Sequence, residues 1–336
     1  MTRVAAIDCG TNSIRLLVAQ RDPESGVLTD LDRRMQIVRL GQDVDRTGRL
    51  APQALARTLA ATREYAQVCA DLGVQRIRFV ATSATRDAAN SAEFLAGIRA
   101  LIGVDAEVIS GTEEAALSFV GATRGLRAAG VVTAGAEGGS EPAGRPSLEP
   151  VLVVDLGGGS TEVVLGTGSD GRVEASRSVD VGSVRLTERH LAGDPPSQDE
   201  LVAARAEVDR MLDQVADDVP LDRTRQLVGL AGSVTTVTAH ALRLPRYDSA
   251  RIHGCVLPVS QVRAACADLV SMSREQRAAL PYLHPGRVDV IGAGALIWDR
   301  VLGRVSAASG ITELVTSEHD LLDGIAWSLV EPVGQP

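Results

Sequence analysis

Two stretches of the chain carry the residue types that phosphate and metal chemistry uses. Near the start stands Val4-Ala-Ala-Ile-Asp8-Cys-Gly10-Thr11-Asn12-Ser13-Ile-Arg15-Leu-Leu-Val18, and far downstream Val151-Leu-Val-Val-Asp155-Leu-Gly157-Gly158-Gly159-Ser160-Thr161-Glu162-Val-Val-Leu165. Superposing Asp8 on Asp155, an offset of 147 residues (155 minus 8), also matches Gly10 with Gly157 and Ser13 with Ser160. Each stretch is an apolar run, an Asp, a turn of Gly, Ser, Thr or Asn, and a second apolar run, the pattern of a β-hairpin. Glycine lets the backbone approach a ligand closely, and consecutive N–H groups in such a turn form a concave anion nest. The Asp ending the first strand is placed to hold a divalent cation, or a water of its shell, beside phosphates. One such loop reads equally well as a tight turn with a capping Asp. Two copies a domain apart point instead to two similar domains facing each other, with a phosphate loop from each converging on a cleft.

The elements that must position these loops alternate between strand and helix. Residues 51–72 are Ala-rich with helical spacing and are closed by Gly73. Arg76–Ala81 reads as a strand leading into Thr82-Ser-Ala-Thr85-Arg86, residues 91–101 as a helix and 107–109 as a short strand. Thr112 is a plausible N-cap for the helix that begins Glu113-Glu114. Residues 128–150, dominated by Gly, Ala, Pro, Ser and Glu, read as a flexible loop or linker. The second half continues with a helix over 197–217, a strand over 226–230, and the turn Ala231-Gly232-Ser233 opening a helix. Further helices are expected from Ser260, over 288–302 and over 317–329.

Composition narrows the function. The 336 residues hold 43 acidic and 34 basic side chains, a formal net charge of -9, and every basic residue is arginine because the chain has no lysine. An acidic chain with 2% aromatic residues lacks the basic field and stacking platforms of general nucleic-acid binders, so no nucleic-acid polymer is expected as partner. No apolar run nears the roughly 20 residues that span a bilayer, and a cytoplasmic protein is expected. Cys9, Cys69, Cys255 and Cys266 form no CxxC pair, and the five histidines show no ligand spacing, which disfavours disulfides and zinc.

With these residues in view, the chain resembles the exopolyphosphatase and guanosine pentaphosphatase family over nearly its whole length. The marks, in order, are Asp8-Cys-Gly-Thr-Asn-Ser-Ile-Arg-Leu-Leu, Ala81-Thr-Ser-Ala-Thr-Arg86, Ile109-Ser-Gly-Thr-Glu113-Glu114-Ala, Asp155-Leu-Gly-Gly-Gly-Ser-Thr-Glu162, Gly182-Ser-Val-Arg185-Leu-Thr-Glu188, Gly229-Leu-Ala-Gly-Ser-Val-Thr and Arg287-Val-Asp-Val-Ile-Gly-Ala-Gly294. The resemblance implies an α/β fold of two ribonuclease-H-like domains of the actin-like ATPase superfamily, facing across a cleft, in a short two-domain form. On that reading residues 1–127 form the N-terminal domain, 128–150 a linker and 151–311 the C-terminal domain, with a C-terminal helix, 312–336, packing back on the first domain.

The resemblance also implies phosphoanhydride hydrolysis, which needs a cradle for phosphate charge, a metal to neutralise it and a group to position or activate water. The expected phosphate contacts are Gly10, Thr11, Asn12, Ser13, Arg86, Gly157, Gly158, Gly159, Ser160 and Thr161. Asp155, Glu162 and Asp8 are the expected ligands of Mg2+ or Mn2+, and Glu114 maps to the family's general base. Read alone, Glu113 and Glu114 are ordinary first-turn acids favoured by the helix dipole. Arg15, Arg185 and His253 are weaker candidates, and the loop Gly229–Ser233 is similar to one that holds adenosine in ATP-using relatives. The implied activity is release of the terminal phosphate of inorganic polyphosphate, favouring short chains, by a homodimer. Conversion of pppGpp to ppGpp is the close alternative, and a kinase or a non-catalytic scaffold of the superfamily the remoter ones.

Overall fold

The structure, a computed structural model, describes residues 2–22, 24, 27–131 and 149–330. Most of the linker expected at 128–150 lies outside the described residues. The chain divides into two compact units, one of Met1–Gly121 with Leu321–Pro336, the other of Ala122–Asp320.

In the first unit the strands are β1 (Thr2–Cys9), β2 (Ser13–Arg21), β3 (Leu28–Ile37), β4 (Arg76–Ala81) and β5 (Ala106–Val108), ordered β3-β2-β1-β4-β5. The first three are antiparallel, and β4 and β5 continue parallel to β1. A parallel neighbour requires a crossover, which the helix Pro52–Asp71 supplies before β4 and Ser91–Ile102 before β5. Strand alternation then sorts β1 into two cores. Ala5, Ile7 and Cys9 pack with Tyr65, Phe79 and Phe94, whereas Val4 and Ala6 pack beneath the helix Leu321–Val330. Arg33 holds that helix through Asp323 at 2.5 Å, Arg78 through Ser328 Oγ at 2.8 Å, and Arg76 donates to the Leu329 carbonyl.

The second unit repeats the plan with β6 (Val151–Leu156), β7 (Thr161–Thr167), β8 (Arg172–Val179), β9 (Gln226–Leu230), β10 (Val256–Pro258) and β11 (Glu313–Thr316). Their order is β10-β11-β9-β6-β7-β8. Strands β6, β7 and β8 form the antiparallel meander, while β9 runs parallel to β6 and β11 to β9. One core gathers Leu152, Val154 and Leu156 of β6 with Val163 and Leu165 of β7, the helix Gln198–Asp218 and the central helix Ile291–Ser309 with its buried Trp298.

Two boundaries depart from the sequence reading. Residues 312–336 do not form a single helical segment: Glu313–Thr316 is a strand of the second sheet, and the helix begins only at Leu321. The helix Gly111–Ala128, which carries Glu114, starts in the first unit and ends in the second.

Candidate active site

The two hairpin turns are built alike. Gly10 N–H donates to the Ser13 carbonyl at 2.9 Å, and Gly157 N–H to the Ser160 carbonyl at 3.0 Å. In each unit the segment after the third strand then takes up the carbonyls of the turn. The Thr11 carbonyl accepts from Gly41 N–H at 2.8 Å, and the Asn12 carbonyl from Val38 and Arg39 N–H at 3.0 and 2.8 Å. In the second unit the start of the helix Ser183–His190 does the same. Ser183 N–H reaches the Gly157 carbonyl at 3.0 Å, Val184 and Arg185 N–H reach that of Gly158 at 2.8 and 3.1 Å, and Arg185 Nε reaches that of Gly159 at 2.8 Å. Across a trans peptide a carbonyl and the following N–H point in opposite directions. Bracing these carbonyls therefore aims the N–H groups of Asn12 and Ser13, and of Gly158, Gly159 and Ser160, away from the brace, as an anion nest requires.

Such close bracing depends on glycine. A Cβ at Gly41 would lie 2.3 Å from Thr11 Cγ2, and one at Gly182 would lie 2.5 Å from the Gly158 carbonyl. Neither Gly41 nor Gly182 was expected as a site residue. Gly182 heads the Gly182–Glu188 motif, whereas Gly41 follows a strand that carries no sequence signal. Arg185 fills the same structural role, holding a loop carbonyl.

The carboxylates differ between the two copies. Asp8 and Arg15 are cross-strand partners, and Arg15 places Nε and Nη2 2.8 and 2.6 Å from Asp8 Oδ2. At the matching place in the second hairpin Asp155 stands opposite Glu162. Asp155 is 7% exposed and Glu162 1%, and Glu162 Oε1 accepts from Ser178 Oγ on β8 at 2.8 Å. Like charges set side by side across two strands repel, and their burial adds a desolvation cost. A cation between them relieves both, so this donor set fits a hard, oxygen-seeking divalent ion. Asp8, expected as a third ligand, gives its Oδ2 to Arg15. Among the described residues no cluster of three or more His, Cys, Asp or Glu could by itself hold a metal.

The neighbouring residues of the first unit separate the two first-turn glutamates. Glu113 is exposed and pairs with Arg78 at 2.6 Å. Glu114 is buried, and its Oε2 accepts from Arg86 Nη1 at 2.9 Å, while the same nitrogen reaches the Ile109 carbonyl at 2.7 Å. Arg86 thus sits on the expected base. The short helix Ser83–Arg86 also meets the first loop, with Ser83 Oγ 2.9 Å from Thr11 Oγ1.

In the second unit the helix Ala231–Ala241 opens at the end of β9, where Leu230 pairs with Asp155. Ala231 has φ 69°, and Gly232 leaves room for Arg287, whose guanidinium carbon would lie 2.3 Å from a Cβ there. Arg287 opens the Arg287–Gly294 motif, and an arginine before an apolar helix gives no chemical signal of its own. His253 Nδ1 accepts from Glu318 N–H at 3.2 Å and its ring lies 4.7 Å from that of His319. The cysteines are free, and burial pushes the Cys9 and Cys266 thiols well above their usual range, with Asp8 and Asp299 adding to the effect.

Two three-stranded meanders, each extended by parallel strands and each turned by a braced glycine loop, define the actin-like ATPase fold class. Solved structures with this fold include nucleoside triphosphate hydrolases of Neospora caninum, at 11% identity and TM-score 0.55 over 98% of this chain and 92% of theirs. The chain belongs to the Ppx/GppA phosphatase family, whose model matches residues 17–141 and 144–328. It is 47% identical to exopolyphosphatase 2 of Mycobacterium tuberculosis over 98% of this chain and 99% of that protein. A crystal structure of an exopolyphosphatase-like protein shares 43% identity at TM-score 0.87, covering 98% of this chain and 99% of the other. An Aquifex aeolicus family member shares 29% identity at TM-score 0.77, covering 100% and 99%.

Proposed function

We propose that the protein is an exopolyphosphatase that releases the terminal phosphate of inorganic polyphosphate with a divalent cation, Mg2+ or Mn2+. The observation that carries this reading is the pair of braced loops, each directing consecutive N–H groups outward, joined in the second unit to a buried Asp–Glu pair suited to a hard cation. Full-length similarity to a relative named exopolyphosphatase supports it. Asp155 and Glu162 would hold the cation, which would neutralise phosphate charge as the bond breaks. The N–H groups of Gly158, Gly159 and Ser160 bind phosphate oxygens without adding net charge, as do those of Asn12 and Ser13. Glu114 takes the proton of the attacking water. Arg86 holds Glu114 in place, and its fork remains suited to a phosphate oxygen. A cytoplasmic homodimer is the expected assembly, its subunit number measurable by light scattering.

The test is phosphate release measured side by side on short polyphosphate, long polyphosphate, pppGpp and ATP, with and without Mg2+. Magnesium-dependent release from polyphosphate, fastest on short chains, is expected. Release from pppGpp alone would assign the nucleotide activity, and ATP-dependent transfer to an organic acceptor would assign a kinase. Glu114→Gln is expected to keep the fold and phosphate binding while lowering kcat at least 100-fold. A wild-type rate in that variant removes Glu114 as the base.

A further inference from the structure

We propose that Ser178 is a positioning residue for Glu162, orienting this carboxylate toward a divalent cation. The inference rests on the reading of Asp155 and Glu162 as metal ligands. Asp155, Glu162 and Ser178 occupy one row across β6, β7 and β8, because Asp155 pairs with Glu162 and Glu162 with Ser178. Directly paired residues on adjacent strands present their side chains to the same face of a sheet. The Ser178 hydroxyl donates to Glu162 Oε1 at 2.8 Å. A hydroxyl has one proton to give, so this bond sets the direction of Oε1 and, with it, the plane of the carboxylate. Hydrogen bonds of this kind to ligating side chains fix their orientation and typically change metal affinity by about 10- to 100-fold.

The first unit supplies an internal control. Its equivalent row is Asp8, Arg15 and Met35. There the second position is itself a cation, paired with the Asp8 carboxylate across the hairpin, and the third position is an apolar methionine. In the second unit the cation is replaced by Glu162, and a hydroxyl replaces the methionine. The exchange at the third position thus accompanies the exchange that creates two opposed carboxylates. The rest of β8 shows why this is not ordinary edge-strand polarity: Glu174 pairs with Arg223 and Arg177 with Asp218, whereas Ser178 is half-buried and turned to Glu162.

Mn2+ titration by calorimetry on the full chain, with Ser178→Ala, Ser178→Thr and Glu162→Gln beside the wild type, tests this. The expected result is Mn2+ affinity weakened about tenfold or more in Ser178→Ala, restored in Ser178→Thr, with the thermal melt in EDTA nearly unchanged. Wild-type affinity in Ser178→Ala, alongside a loss in Glu162→Gln, would overturn the role of Ser178 and leave the metal reading standing. Wild-type affinity in Glu162→Gln would overturn the metal reading itself, and the role of Ser178 with it.

Discussion

The two hairpins make opposite demands on their charged residues. Arg15 neutralises a carboxylate that is 4% exposed, so Arg15→Gln leaves Asp8 buried beside an uncharged neighbour. The expected cost is about 2 kcal/mol, below the range for a fully buried pair because Arg15 is partly exposed, and urea denaturation measures it. Glu162→Gln removes repulsion instead and is expected to raise the melting temperature in EDTA while abolishing the further rise that Mg2+ gives the wild type. Sequence comparison of the hairpins already placed Asp8 on Asp155, and the glycine turn was legible because only a few residue types suit it. That Arg15 occludes Asp8 was not legible. Register, which fixes who faces whom, depends on strand pairing rather than on the residues of one segment.

Segments that brace the loops, rather than the loops alone, set the nest. Gly182→Ala places a Cβ against backbone that has no room to rotate aside, so a loss of about 1–3 kcal/mol and a sharp rise in KM for polyphosphate are expected, read by urea denaturation and by phosphate release. An ordinary surface glycine would show neither. The helix Gln198–Asp218 offers a separate test of local design. Glu200 accepts from the N–H groups of Ser197, Gly193 and Ala192 and closes a capping box with Ser197, which lowers its carboxyl to about 2. A lowered folded-state value stabilises above the unfolded value near 4.5 and is lost as pH falls toward about 2. The melting-temperature gap between wild type and Glu200→Gln is therefore expected to be constant above about pH 5.5 and to shrink below it. The long helices and the strands of the two hairpins were readable from apolar runs and periodicity, whereas the short buried strand Glu313–Thr316 was not. Strands β3 and β8 were also hidden, since an edge strand such as Leu-Thr-Asp-Leu-Asp-Arg-Arg-Met-Gln-Ile has half of its side chains exposed and none fully buried, and so shows no apolar inward face.

The duplicated hairpins made the two-unit plan visible, and the return of the C-terminal helix to the first unit was already expected, but the residues at which the chain changes unit were not legible. No local pattern announces that Glu313–Thr316 belongs to one sheet and Leu321–Val330 to the other unit. The net charge of -9 also takes on a narrower meaning: many arginines are engaged in internal ion pairs, and the proposed grip on phosphate is largely of neutral N–H groups. Deleting the chain from Leu321 onward is expected to bare Val4, Ala6, Leu17, Ala19 and Val80 and to make the product aggregate, as size-exclusion chromatography would show.

The same return of the chain bears on the order of its birth. A ribosome delivers Met1–Gly121 first, yet the helix that covers one face of its sheet emerges only after the whole of Ala122–Asp320. The second unit can close as soon as it is made, while the first must wait with an open apolar face. The unit that is made before the other is thus the last to be completed, and chaperone binding during synthesis should map to Met1–Gly121 rather than to Ala122–Asp320.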